Sequence, residues 1–278
     1  MMLEDRDNLD DIIKSSFEEV IEYFNKNGIK VEGLKLTILE SPELLIQKYG
    51  KDKVDENTGG MYASETKEIY IIKNSIKKFV DKVLSNLNEI SNINLFTISR
   101  NGVLFPVLIN DNDIEKVIAK ADAELLSIHE IWHHIAGAGN WKASFVEFLV
   151  YFYKNELYKY PGVYRIMEEN IKRCERFIQE KNLPSRLLPY SLGYCFANDI
   201  IYAYENILNK NRESPKLNIK DTIEKFKHFS EEDGIKITEM VNTLLKDYVS
   251  IKNMLNIKTN MLSCLLEKLP NIMDSINE

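Results

Sequence analysis

Apolar residues follow two rhythms along this chain, and glycines and prolines mark where one gives way to the other. Leu9, Ile12, Ile13, Phe17, Val20, Ile21 and Phe24 recur at helical spacing, which predicts a helix over residues 8–27 ended by Asn27-Gly28. Then the rhythm shortens. Ile29 and Val31, and after them Leu34, Leu36 and Ile38, alternate with polar neighbours. Residues 29–39 therefore read as a strand with a bulge at Gly33. Pro42 opens a short helix, and Lys51 to Thr58 is a polar loop. Gly59 to Ile72 reads as strand, polar turn and β-rich strand. A helix over 75–90 precedes a second hairpin, Leu95 to Ile109, in which Asn101-Gly102 lies between two β-prone runs. Pro106 puts the second arm of that hairpin at an edge or bulge.

The longest uninterrupted helical pattern comes next. Asp113 to Ile135 contains neither Pro nor Gly, and Leu125, Ile128, Trp132 and Ile135 form an apolar stripe along it. Gly137 suits the left-handed conformation that ends a helix, and Gly137-Ala138-Gly139 makes a tight turn. Asn140 then caps a second helix from Trp141, whose buried side is marked by Phe145, Phe148, Leu149 and Phe152. The pattern beyond is almost wholly helical: 163–181, 192–208, 217–229, 235–255 and 261–269. The expected fold is α+β, a small antiparallel or mixed sheet packed on the long helix, with a mostly α-helical C-terminal half. Residues 1–155 and a helical lobe over 156–278 are the expected parts, or one domain without a sharp boundary.

Composition narrows the function classes. The chain has 278 residues, 44% hydrophobic and 28% charged, enough to bury a substantial core. A net charge of −7 and a pI of about 5.4 argue against nucleic acid as a partner. No apolar run approaches the roughly 18 residues of a membrane span, and Met1-Met2-Leu3-Glu4-Asp5-Arg6-Asp7 is no signal peptide. Cys174, Cys195 and Cys264 are far apart and odd in number, as reduced thiols are. The expectation is a cytoplasmic protein with no membrane attachment.

Chemistry concentrates on the long helix, where three of the four histidines lie in Ser127-Ile128-His129-Glu130-Ile131-Trp132-His133-His134. His129-Glu130-x-x-His133 is the HExxH pattern. Residues four apart lie on one helix face, so both imidazoles can reach one Zn²⁺ at roughly 2.0–2.1 Å. Glu130 sits beside that metal, where a carboxylate can take a proton from a water. A catalytic zinc has three protein ligands and one open position. The pattern with a third histidine is excluded, because the required Gly and His positions hold Ala136 and Gly139. Glu147 is the leading candidate for the third ligand. With a rise of about 1.5 Å per residue, the returning helix brings it level with the midpoint between the two histidines. It is also a carboxylate in the otherwise apolar run Ser144-Phe145-Val146-Glu147-Phe148-Leu149-Val150, which calls for a partner. Asp199, Glu205 and Glu124 are the alternatives. His134 lies about 100° around the helix from its neighbour and reads as a last-turn histidine rather than a ligand. His228 reads as a surface residue. Tyr190 and Tyr194 are candidate donors to an oxyanion, although packing aromatics are the favoured reading of both.

His129-Glu130-Ile131-Trp132-His133 followed by Glu147 resembles the gluzincin branch of the zincin metallopeptidases. The short spacing to Glu147 is similar to that of the ImmA/IrrE-type intracellular peptidases, though Trp132 stands where that group usually has Gly. The resemblance spans roughly residues 55–155 and rests on the one motif. It implies a zincin-like fold, one zinc per chain held by His129, His133 and Glu147, and Glu130 as general base in the hydrolysis of peptide bonds. It also implies that the 59–72 hairpin offers an edge strand to an extended peptide or protein substrate. The alternative is a non-catalytic zinc-bearing module that binds a protein partner.

Overall fold

The structure, a computed structural model, describes residues 6–88, 95–100, 103–108, 114–137, 139–155 and 219–226, with positions 190, 193, 194 and 197. Helix α1 runs over Arg6–Lys26 and buries Leu9, Ile13, Phe17, Val20 and Phe24, the stripe its sequence carries. It stops where Asn27 and Gly28 hydrogen-bond back to its last turn, Gly28 taking φ +76°.

The strand expected over 29–39 is shorter than its alternation suggested: β1 covers only Lys35–Leu39. The side chain of Asn25 accepts the Val31 N–H at 3.0 Å, and Gly33 turns the chain at φ +74°. The alternating Ile29 and Val31 are buried, but the Val31 N–H goes to the end of α1 instead of a ladder. A short helix α2 (Glu43–Tyr49) follows Pro42, then β2 (Gly60–Ala63) and β3 (Glu68–Ile72) form the expected hairpin. The sheet is mixed, in the order β1-β3-β2: β1 runs parallel to β3, and β2 antiparallel to it. As the central strand, β3 is buried on both faces. Tyr70 and Ile72 join Leu45, Val54 and Ala63 in a cluster under α2, while Ile69 and Ile71 point to the opposite face.

Helix α3 (Lys73–Asn88) follows β3 directly, and β4 (Leu95–Arg100) pairs antiparallel with β5 (Val103–Leu108) as a separate two-stranded sheet. Pro106 lies opposite Thr97, on a strand that pairs on one side among the described residues, where its missing N–H is tolerated. The long helix α4 (Ile114–Ala136) is the hub, packing against α1, α3, β2 and β3. Leu125, Ile128 and Trp132 of its stripe are buried and Ile135 half-buried. Gly137 ends it at φ +78°, with its N–H on the His133 carbonyl at 2.9 Å. Helix α5 spans Asn140–Asn155 and α6 Ile219–Phe226. The described positions beyond residue 139 are all helical, in keeping with a mostly helical C-terminal half. The helices expected over 163–181, 235–255 and 261–269 lie outside the described residues. No described helix is long and apolar enough to cross a membrane.

The chain divides into two compact units: Met1–Ala138 with Val150–Glu168, and Gly139–Leu149 with Glu169–Glu278.

Candidate metal centre

Helix geometry places the motif as its spacing demands. His129 and His133 stand one turn apart with ring centroids 5.0 Å from each other and planes at 72°. His129 and Glu130 are nearly buried, at 7% and 6% exposure, and His133 is half-buried. The helix carries them because its other face, with Ile128, Ile131 and Trp132, is held in the core.

Three contacts distinguish the neighbouring histidines. His133 Nδ1 lies 3.0 Å from the carbonyl oxygen of Gly137, which can only accept. That contact protonates Nδ1 and leaves the lone pair on Nε2, the arrangement in which a zinc-binding imidazole is held by a carbonyl behind it. His134 is used otherwise. Its Nε2 meets the Glu32 carbonyl oxygen at 3.1 Å, and its Nδ1 meets the Tyr62 hydroxyl at 3.0 Å. Burial, with the Glu65 carboxylate adding to it, pushes the Tyr62 phenol up, so this hydroxyl keeps its proton. Tyr62 therefore donates to Nδ1 while Nε2–H donates to Glu32. His134 is a tether between α4, β2 and the segment before β1, not a ligand.

Strand β2 lies against the carboxylate of the motif. A Cβ placed on Gly60 would come within 3.0 Å of both Glu130 Cγ and Oε1. Its neighbour Gly59 is equally confined, by Ser75 Oγ at 2.9 Å and Leu126 Cδ2 at 3.0 Å. The glycine pair lets the backbone of β2 approach α4 beside Glu130. Among the described residues β2 is the last strand in the order β1-β3-β2, so the strand next to Glu130 is also an edge there.

Of the alternative carboxylates, Glu124 is taken. Its side chain, 1% exposed, is paired with the Lys154 ammonium at 2.9 Å. Asp199 and Glu205 lie outside the described residues, as does His228. Glu147, in the second unit, is 7% exposed on α5 and accepts a hydrogen bond on Oε1 from the Tyr194 hydroxyl. Tyr194, one of the two tyrosines considered as oxyanion donors, thus has a carboxylate partner, and Tyr190 is 37% exposed. Among the described residues, no three His, Cys, Asp or Glu side chains gather as a metal-holding group. The donor chemistry nevertheless suits zinc. Two imidazoles one turn apart, one tautomerically fixed by a carbonyl, are the type and spacing of donor that could supply two of the three ligands of a zinc ion. Residues 59, 60, 62, 32, 154 and 194 were not singled out as partners of these groups from sequence. The adjacent glycines Gly59-Gly60 were the one signal of a close backbone approach.

Comparisons with protein-family models, curated proteins and solved structures find no match for this chain.

Proposed function

We propose that the chain is a zinc-dependent metallopeptidase of zincin-like fold, in which His129 and His133 bind the metal, Glu147 is the third ligand and Glu130 is the general base. The observation that carries this reading is the pairing of two stacked imidazoles with a buried carboxylate beside an edge strand. When bound, zinc would supply Lewis acidity, lowering the pKa of a water and polarising the scissile carbonyl. The residues of the chain do the rest. The Gly137 carbonyl holds His133 in the tautomer that presents Nε2. Glu130, shielded between α4 and β2, takes the proton from the attacking water and delivers it to the leaving amine. The edge that β2 presents among the described residues would offer backbone groups to an extended peptide, a mode of binding that does not depend on the peptide's sequence.

The test separates catalysis from a merely structural metal. Glu130→Gln keeps the shape of the side chain and removes the base. The expected result is a purified variant with one zinc per chain and hydrolysis of an unfolded protein substrate reduced at least about a thousandfold, within the range attributed to acid–base catalysis. Wild-type rates in Glu130→Gln would eliminate the proposed mechanism. A wild-type protein with bound zinc and no hydrolysis would favour the zinc-bearing interaction module.

A further inference from the structure

Strand β2 and the residue before it follow one stripe of α4. Leu126, Glu130 and His134 are spaced four residues apart, so they stand one above another on a single face of the helix. The chain meets them in the same order: Gly59 at Leu126, Gly60 at Glu130 and Tyr62 at His134. The steps match. Gly60 and Tyr62 are two residues apart on a strand, so they face the same side and lie roughly 7 Å from each other. Glu130 and His134 are four apart on a helix, a rise of roughly 6 Å. All of these residues belong to the first unit.

The first two meetings are steric, and the third is directional. At Gly59 and Gly60 the absence of a side chain sets how closely β2 approaches α4. Ile71 and Ile69, which pair with Gly60 and Tyr62 across the hairpin, are fully buried. Apolar burial has no preferred direction, so it seats the sheet on the helix without fixing its position along the axis. The hydrogen bond from the Tyr62 hydroxyl to His134 Nδ1, 3.0 Å long, does fix it. The two rings also pack edge-on, with centroids 5.4 Å apart and planes at 74°. Nor is His134 free to swing. Its Nε2 is held by the Glu32 carbonyl oxygen at 3.1 Å, and the neighbouring Val31 N–H is bonded to Asn25 of α1. Tyr62 therefore grips an anchored imidazole.

We propose that Tyr62 is a positioning residue that pins β2 along α4 and so places the scissile bond of a bound peptide opposite Glu130. This inference deepens the peptidase reading and rests on it, with Glu130 as the base and β2 as the strand that pairs with substrate. A peptide added to β2 takes its register from the backbone of that strand. When β2 slides along α4, the peptide slides with it and the bond to be cut leaves the base. Tyr62 touches neither that bond nor Glu130, and its effect passes through the strand. Its loss leaves the backbone groups of β2 in place, so it acts on kcat and spares KM.

Nuclear Overhauser contacts between the Gly60 Hα atoms and the side-chain protons of Glu130 read the placement without any assay of hydrolysis. The Gly60 hydrogen that stands where a Cβ would be points at Glu130 Cγ. Full-length wild type, Tyr62→Phe, His134→Leu and the double variant are compared. Phe keeps the ring against His134 and removes one oxygen, so far-UV circular dichroism is expected to match wild type. In Tyr62→Phe the Gly60–Glu130 contact should be lost, a change that a loss of global stability alone would not produce in the folded protein. With an unfolded protein as substrate, kcat should fall by about tenfold at unchanged KM, short of the roughly 100-fold cost of a misplacement by about 1 Å. In the His134→Leu background the same substitution should change neither quantity, because the bond it removes is already gone. An undiminished contact in Tyr62→Phe overturns the pin, whatever the rate. A lost contact with unchanged kcat overturns the positioning role. A raised KM at unchanged kcat makes Tyr62 a substrate contact and overturns it too. A wild type that shows the contact and hydrolyses nothing is a failure of the peptidase reading, and the proposal falls with it. A wild type that hydrolyses, beside a Tyr62→Phe protein with an undiminished contact, is a failure of the proposal alone.

Discussion

At Gly60 one missing methyl group decides where a carboxylate can stand. The built Cβ would lie 3.0 Å from Glu130 Cγ and Oε1, closer than ordinary van der Waals contact. Something must yield, and the movable partner is the end of the Glu130 side chain. Gly60→Ala should therefore spare the fold and displace the proposed base. We expect stability to change by less than about 1 kcal/mol, since the clash is relieved by rotating one side chain. Activity under the proposed mechanism should fall, but by less than the roughly 100-fold cost of a 1 Å misplacement, because a side chain met by a Cβ at 3.0 Å gives way by only a few tenths of an ångström. Thermal melts and initial rates on the same preparation check both halves, and an alanine variant with full activity would show that β2 does not confine Glu130. The residues of the motif itself were legible from sequence, because the 3.6-residue period alone puts His129 and His133 on one face. The contact between residues 60 and 130 was not. Periodicity describes one element at a time, and this approach is set by how a strand meets a helix seventy positions later in the chain.

Between elements, the clearest joint is ionic and mostly buried. Lys154 on α5 reaches Glu124 on α4 at 2.9 Å and Glu19 on α1 at 3.1 Å, while Lys120 reaches Glu19 at 2.8 Å. The Glu19 contacts are half-open to solvent and contribute little. The Glu124–Lys154 pair is different, because the side chains are 1% and 12% exposed. Removing Lys154 takes away the nearest cation of a buried carboxylate and leaves Lys120 at 3.9 Å, so Lys154→Met should destabilise the fold by about 1–3 kcal/mol. Adding Glu124→Leu should recover most of that loss, since an apolar pair of similar volume needs no partner. Urea unfolding of the three proteins gives the comparison, and a loss under about 1 kcal/mol for Lys154→Met would mean that Lys120, 3.9 Å from Glu124, already compensates it. The elements themselves were largely readable: α1, the β2–β3 hairpin, the β4–β5 pair, α4 and α5 follow the apolar rhythm within a few residues. The exception is informative. Residues 29–31 alternate like a strand but spend the Val31 N–H on Asn25, a side chain from the preceding helix. Alternation shows which residues face inward, and it does not show where the backbone donors go.

For the molecule as a whole, the proposed function predicts that folding and metal binding are linked. A ligand that binds only the native state stabilises it by mass action, about 2.7 kcal/mol when its free concentration is 100 times Kd. For a chain of this size each kcal/mol raises the melting temperature by roughly 2–4 °C, so saturating zinc should raise it by about 5–10 °C. The chelator-treated protein should melt lower by the same interval and recover when zinc returns. His133→Ala should show no zinc-dependent rise, because it removes a proposed ligand at the half-buried end of the motif while leaving Trp132 and the buried stripe of α4 in place. The comparison discriminates in each direction. A rise in wild type alone assigns the binding to the motif. An equal rise in both proteins would put zinc at some other site and leave the HExxH helix without a metal. No rise in either, at micromolar zinc under reducing conditions, would mean that the imidazole pair on α4 is a structural feature of the helix end, tied to Gly137 for the same reason that His134 is tied to Glu32.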